Sequence, residues 1–196
     1  MEALRAAGCS ASDPLFGKAL TFVYRCQNFA EDPDPVFDDG GFFFMDGDPW
    51  RNKAGVLGTD RTGRQRYASY ASMTADGLRM LLACGVSSRD ARVIAAWRWL
   101  EQNFSVSVHP GRFAPGRALL RASSYYYYCW SLARTLAACG AATETPGRMT
   151  ALAEELLRRQ QPNGSWVNPA VEVREEDPLV ATPFAAEALA RCRRSV

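Results

Sequence analysis

Apolar residues along this chain recur at helical intervals, and a glycine closes each run. Leu78, Leu81, Leu82 and Cys84 lead to Gly85, and Leu132, Leu136, Ala137 and Cys139 lead to Gly140. Steps of three and four put such residues on one helix face. A terminal glycine suits a left-handed residue, where a Cβ is costly. A second helix then starts. Asp13-Pro14 and Thr145-Pro146 each set a capping side chain ahead of a proline, which fits the first helical position, and Ser87 with Asp90 serves similarly. In the second helix of the middle unit, Val93, Trp97, Leu100 and Phe104 form the apolar face. In the last, Leu152, Leu156 and Leu157 oppose Glu154, Glu155, Arg158 and Arg159. Strand signals are confined to short runs such as residues 41–45.

The unit repeats. Gly8 to Gln27 and Gly85 to Phe104 are each 19 residues, and Gly140 to Gln160 is 20. A Gly-x-aromatic step follows each: Gly41-Phe42-Phe43, Gly111-Arg112-Phe113 and Gly164-Ser165-Trp166. Self-similarity of this kind decides the architecture. It predicts an all-α fold in a single domain over residues 1–196. Helical hairpins are expected at about 1–28, 68–104 and 122–161, with a lone helix at about 182–194 and a long loop insertion at 28–66. An unrelated helical solenoid is the alternative, although common short helical repeats have periods of ~34–47 residues.

Lys18-Ala19-x-x-Phe22-Val23-x3-Gln27 and Gln160-x3-Gly164-x-Trp166 resemble the QW repeat of the squalene-hopene cyclase and prenyltransferase superfamily. The first copy has its Gly-x-aromatic half displaced to Gly41. The third has Glu155 where an aromatic belongs, and the middle copy has Phe104 in place of Gln. The resemblance implies an α/α toroid, in which inner helices ring a cavity and outer helices wrap them. It assigns Gln27, Gly41, Phe42, Phe104, Gly111, Phe113, Gln160, Gly164 and Trp166 to structural ties between an outer helix and the next hairpin. Residues 69–77 and 123–130 resemble inner-helix starts of bacterial squalene-cyclase-like proteins.

Net charge is +2, and 21 of 23 basic residues are arginine interleaved with acids, so no nucleic-acid-binding stripe emerges. No apolar run approaches the ~18 residues of a membrane span. Residues 1–9 carry Glu2 and Arg5 and lack a signal-peptide core, which predicts a cytoplasmic location. Six cysteines without a CxxC pair read as reduced, buried thiols. Residues 31–48 hold seven acids and no base, while residues 51–66 hold Arg51, Lys53, Arg61, Arg64 and Arg66 against Asp60 alone. The plain reading is a loop whose acidic half pairs with its basic half. The functional one is a lid whose basic edge meets an anionic head such as pyrophosphate. Asp46-Gly47-Asp48 starts like a calcium loop, but EF-hand spacing does not follow.

The cyclases of the resembled superfamily protonate an alkene with a DxDD acid. No DxDD occurs here. Its protein prenyltransferases bind zinc through Asp, Cys and His. Here the single histidine, His109, precedes Pro110-Gly111, and Tyr127 stands two residues before Cys129, so neither zinc nor another cofactor is expected. What remains is an aromatic lining: Tyr70, Met73, Tyr125, Tyr126, Tyr127, Trp130 and Phe184 as candidates to hold a hydrophobic or isoprenoid ligand. Four consecutive tyrosines cannot all face one way. Asp76 and Glu187 are the weak acid candidates; such residues more often cap or pair with arginine.

Two functional classes follow. One is a squalene-cyclase-like protein without recognisable catalytic motifs, with a binding or scaffold role. The other is an isoprenoid cyclase or transferase whose acid motif lies in an absent N-terminal half or a partner. About three and a half hairpins fall short of the six or so in a closed toroid. An incomplete ring, exposing an open aromatic wall and inviting self-association or a protein partner at its edge, is therefore expected.

Overall fold

A computed structural model describes residues 1–139 and 145–193. Gly140, the third repeat glycine, and Arg194 lie outside them. The fold is all-α in class: eight helices and one two-stranded sheet among the described residues. The chain divides into two compact units, Met1–Asn103 with Gly111–Phe113, and Phe104–Pro110 with Ala114–Val196.

The first unit contains α1 (Glu2–Ala6), α2 (Pro14–Arg25), α3 (Ala71–Ala83) and α4 (Ala91–Gln102), with α3 packed against the other three. Gly8 and Gly85 close α1 and α3 with φ of +89° and +84°. In each case the next amide reaches back five residues, Cys9 N–H to the Leu4 carbonyl at 2.9 Å and Val86 N–H to the Leu81 carbonyl at 3.0 Å. This is the left-handed helix end that the pattern implies. Asp13 and Asp90 cap α2 and α4, each carboxylate accepting an amide two residues on. Among the described residues Ser87 Oγ accepts from Arg89 N–H alone, in the turn before α4.

The buried face of α4 is Val93, Ala96, Trp99 and Leu100. Trp97, expected there, is half-buried, and Trp99 takes the inward position. The insertion is also more ordered than a bare loop. It holds a hairpin of β1 (Val56–Thr59) and β2 (Gln65–Tyr67). Its turn is built on Asp60, whose Oδ1 accepts from the Thr62 and Arg64 amides, and on Gly63 at φ +82°. The 41–45 run forms only an isolated bridge from Phe42 to Gln27.

The acidic and basic halves of the insertion meet. Arg66 bonds Asp38 at 2.5 Å and Asp60 at 3.3 Å, and Arg64 approaches Asp46 at 3.1 Å. Asp46 and Asp48 are thereby engaged, since Asp48 also accepts from the Trp50 and Arg51 amides and pairs with Arg51. Fully buried Asn28 and Asn52 tie the insertion together, donating to the Tyr67 carbonyl at 2.8 Å and the Met45 carbonyl at 2.6 Å.

The second unit contains α5 (Ala118–Ser123), α6 (Tyr125–Ala138), α7 (Thr145–Arg159) and α8 (Pro178–Arg193); α6, α7 and α8 pack on one another. A 3-10 turn at Pro115–Arg117 leads into α5, a short helix that the repeat pattern does not register. In α7, Leu152 and Leu156 are buried, but Leu157 faces solvent. Thr145 Oγ1 is buried without a hydrogen-bond partner among the described residues, so it does not cap α7. Helix α8 begins four residues earlier than the pattern suggests and carries Pro183 within it. Pro183 sits on an exposed face, where its missing amide is cheapest.

Candidate functional site

The first turn of α6 carries the tyrosine run, and the structure divides it. Tyr125, Tyr126 and Tyr128 are buried and spend their hydroxyls on backbone carbonyls: Val106 at 2.6 Å, Val167 at 3.3 Å and Ser105 at 2.5 Å. Burial pushes the Tyr126 phenol up to about 12 and drives those of Tyr125 and Tyr128 upward, so all three act as neutral donors. Tyr127 points elsewhere. Its ring packs 5.5 Å from both Trp130 and Phe184, and those two lie 5.6 Å apart. Each ring of this trio is half-buried.

Glu187 borders the trio. Its Oε2 accepts from Trp130 Nε1 at 2.6 Å, and its Oε1 accepts from Arg191 at 3.3 Å with Arg134 at 3.8 Å. Burial works to raise its pKa. The indole N–H and the two guanidiniums outweigh that effect and hold the carboxyl below the usual range. Arg134 also lies 4.6 Å from the centre of the Trp130 ring. Asp76, the other acid candidate, is paired with buried Arg79, which also binds Glu2 at 2.7 Å. Both carboxyls are engaged by arginine side chains.

Tyr70 and Met73 belong to the first unit. Tyr70 is buried with Ala54 and Ala68, with Met73, Leu57 and Phe113 packed around them. Gly111 pairs with Tyr70 as an isolated bridge, and a Cβ there would lie 2.6 Å from that of Tyr70. Phe104, in the second unit, sits under Arg148 at 5.3 Å.

The remaining repeat residues make junctions between elements. Buried Gln27 donates to the Gly40 carbonyl at 3.0 Å and the Arg92 carbonyl at 2.9 Å. Phe42 N–H donates to Thr74 Oγ1 at 3.0 Å. In the second unit Trp166 N–H donates to Thr182 Oγ1 at 3.1 Å, and its indole N–H reaches the Leu156 carbonyl in the last turn of α7 at 2.8 Å. An amide-to-threonine bond thus occurs at two of the three Gly-x-aromatic steps, from the residue after the glycine in the first and from the aromatic itself in the third. Gln160 does not cap a helix end: it donates to the Gly164 carbonyl at 2.9 Å and closes an exposed turn. A Cβ on Gly41 would lie 2.6 Å from Ser69, so the chain crosses there too closely for any other residue.

Several key residues carry no local signal. Glu175, almost fully buried, accepts from the Tyr126 amide at 2.9 Å and the Tyr127 amide at 2.8 Å, a carboxylate at the positive end of α6. Asn168 donates to it at 2.9 Å. Asp39 plays a comparable organising part in the first unit, accepting from Ser69 Oγ at 2.7 Å, Gly41 N–H at 3.0 Å and Trp99 Nε1 at 3.1 Å. It lines a cavity of about 260 Å³ with Phe29 and Arg98. His109 lies in a loop, as its place before Pro110-Gly111 suggests, and is buried. It stacks on Tyr128 at 4.9 Å and bonds Ser124 Oγ through Nδ1 at 3.1 Å.

Among the described residues no three His, Cys, Asp or Glu side chains gather as metal ligands, and no helix is long and apolar enough to cross a membrane. Comparison with protein-family models, curated proteins and solved structures finds no match to this chain.

Proposed function

We propose that this chain is a squalene-cyclase-like helical-hairpin protein that binds through an aromatic surface and does not convert what it binds. The observation that carries this reading is the setting of Tyr127, Trp130 and Phe184. The three rings converge and each is half-buried, while the adjoining carboxyl of Glu187 is held ionised by Trp130, Arg134 and Arg191. Protonating an alkene needs a protonated, strongly acidic carboxyl in an apolar site. An ionised one beside an aromatic wall suits binding instead. The recurring amide-to-threonine junctions support the QW-repeat resemblance and a toroid-type arrangement of hairpins. The exposed apolar residues Leu179, Pro183 and Ala186 along α8 support an open edge available to a partner.

The test is incubation of purified protein with squalene and with prenyl diphosphates, followed by extraction and mass spectrometry. Unchanged lipid co-eluting with the protein, and lost in Trp130→Ala, is the expected result. A cyclised or transferred product would overturn the reading.

A further inference from the structure

The second unit carries a half-open pocket of about 360 Å³ that the aromatic trio does not line. Val108, Ala118, Ala122, Pro169 and the Tyr125 ring give it apolar walls. Its charged lining is two arginines and no carboxylate. The two guanidiniums differ. Arg159 is satisfied: it bonds Glu155 at 2.7 Å and the Ser107 carbonyl at 2.7 Å, and stacks 3.9 Å from the centre of the Tyr125 ring. Half-buried Arg121 is held only by its Nε–H, which donates to the His109 carbonyl at 3.0 Å. Among the described residues it has no carboxylate partner. Arg121 lines the pocket, and its two terminal nitrogens take no part in that bond.

We propose that this cavity binds a small amphipathic carboxylate, with the carboxylate on the Arg121 fork and the apolar body against Val108, Pro169 and the Tyr125 ring. A planar guanidinium matches a carboxylate with two parallel hydrogen bonds. One unpaired cation balances one negative charge, whereas a phosphate group carries between about one and a half and two. At about 30 Å³ per heavy atom the volume admits roughly twelve, room enough for a carboxylate of about eight carbons.

Titration calorimetry on the full chain tests this with octanoate, 1-octanol and inorganic phosphate. Octanoate is expected to bind saturably at one site, with octanol and phosphate each weaker by about tenfold or more. Arg121→Gln should weaken octanoate by about tenfold. Because Arg121 also braces the His109 carbonyl, a second variant protects the conclusion: Ala118→Trp, at an exposed position on the cavity wall, should abolish binding without lowering the melting temperature. Trp130→Ala should leave octanoate binding unchanged. Failure of octanoate to saturate, octanol binding equally well, phosphate matching octanoate, or unchanged binding in Ala118→Trp would each overturn the proposal. Loss of binding in Trp130→Ala would also overturn it, by moving the ligand to the aromatic trio.

Discussion

Removing the Trp166 side chain should be among the most damaging single changes in the second unit. Trp166 is only 4% exposed. Truncating a packed tryptophan to alanine costs about 3–5 kcal/mol. Part of that cost has a named source. Its indole N–H satisfies the buried Leu156 carbonyl at 2.8 Å, and an orphaned buried acceptor costs about 1–3 kcal/mol. Trp166→Phe isolates this part, since it keeps most of the ring and loses the donor. Gln160→Ala removes one solvent-exposed hydrogen bond to the Gly164 carbonyl and should cost about 0.5 kcal/mol. With a urea slope of about 2 kcal/mol/M, the midpoint should fall by about 2 M for Trp166→Ala, about 1 M for Trp166→Phe and about 0.2 M for Gln160→Ala. Urea unfolding followed by far-ultraviolet circular dichroism gives all three. Negligible shifts in both alanine variants would refute the junction argument. Phe and Ala variants of equal stability would refute the claim that ring and hydrogen bond contribute separately.

Glu155, hydrogen-bonded by Arg158 and Arg159, is held down to about 2, so its stabilising contribution is fully present above about pH 4.3 and fades as pH falls toward 2. Glu155→Gln should therefore cost about 1 kcal/mol at pH 7 and much less near pH 2, a convergence that urea midpoints at several pH values would reveal. Gly77→Ala should destabilise by about 1–3 kcal/mol despite the better helix propensity of alanine, because the new Cβ would lie 2.5 Å from the Phe42 ring; a rise in melting temperature would contradict this. The Cys129 thiol is fully buried and pushed up to about 12 by that burial, so iodoacetamide should label it only after denaturation, whereas half-buried Cys9 reacts in the folded chain. Peptide mapping that found Cys129 alkylated as fast as Cys9 would sink that expectation.

What the sequence made legible was local. Glycine punctuation, capping aspartates and apolar periodicity mark most helix ends, because each depends on residues within one or two turns. The inward turn of Trp99 has a different cause. On a helical wheel Trp97 falls on the Val93–Leu100 stripe and Trp99 well to its Ala96 side, so the buried face is rotated toward Ala96 by what α4 packs against. The acidic and basic halves of the insertion could be matched by charge, yet the β hairpin in the basic half leaves no clear alternation because its strands have only four and three residues. Glu175 was not legible at all. It sits in a polar run and acquires its role from amides nearly fifty residues earlier in the chain, which no local pattern encodes.

The two amide-to-threonine junctions explain how a repeat persists with an irregular period. From Phe42 to Thr74 the chain runs 32 residues, and from Trp166 to Thr182 it runs 16. Closing a flexible loop of twice the length costs only about 0.6 kcal/mol more. A single well-made hydrogen bond contributes about as much. The insertion can therefore lengthen the connection without abolishing the junction, provided the ends are held. Here they are held by specific close approaches, Gly41 against Ser69 and Phe42 against Gly77, and by the buried amide of Asn28. On this reasoning the determinants of the hairpin junction are its end residues, not the distance between them.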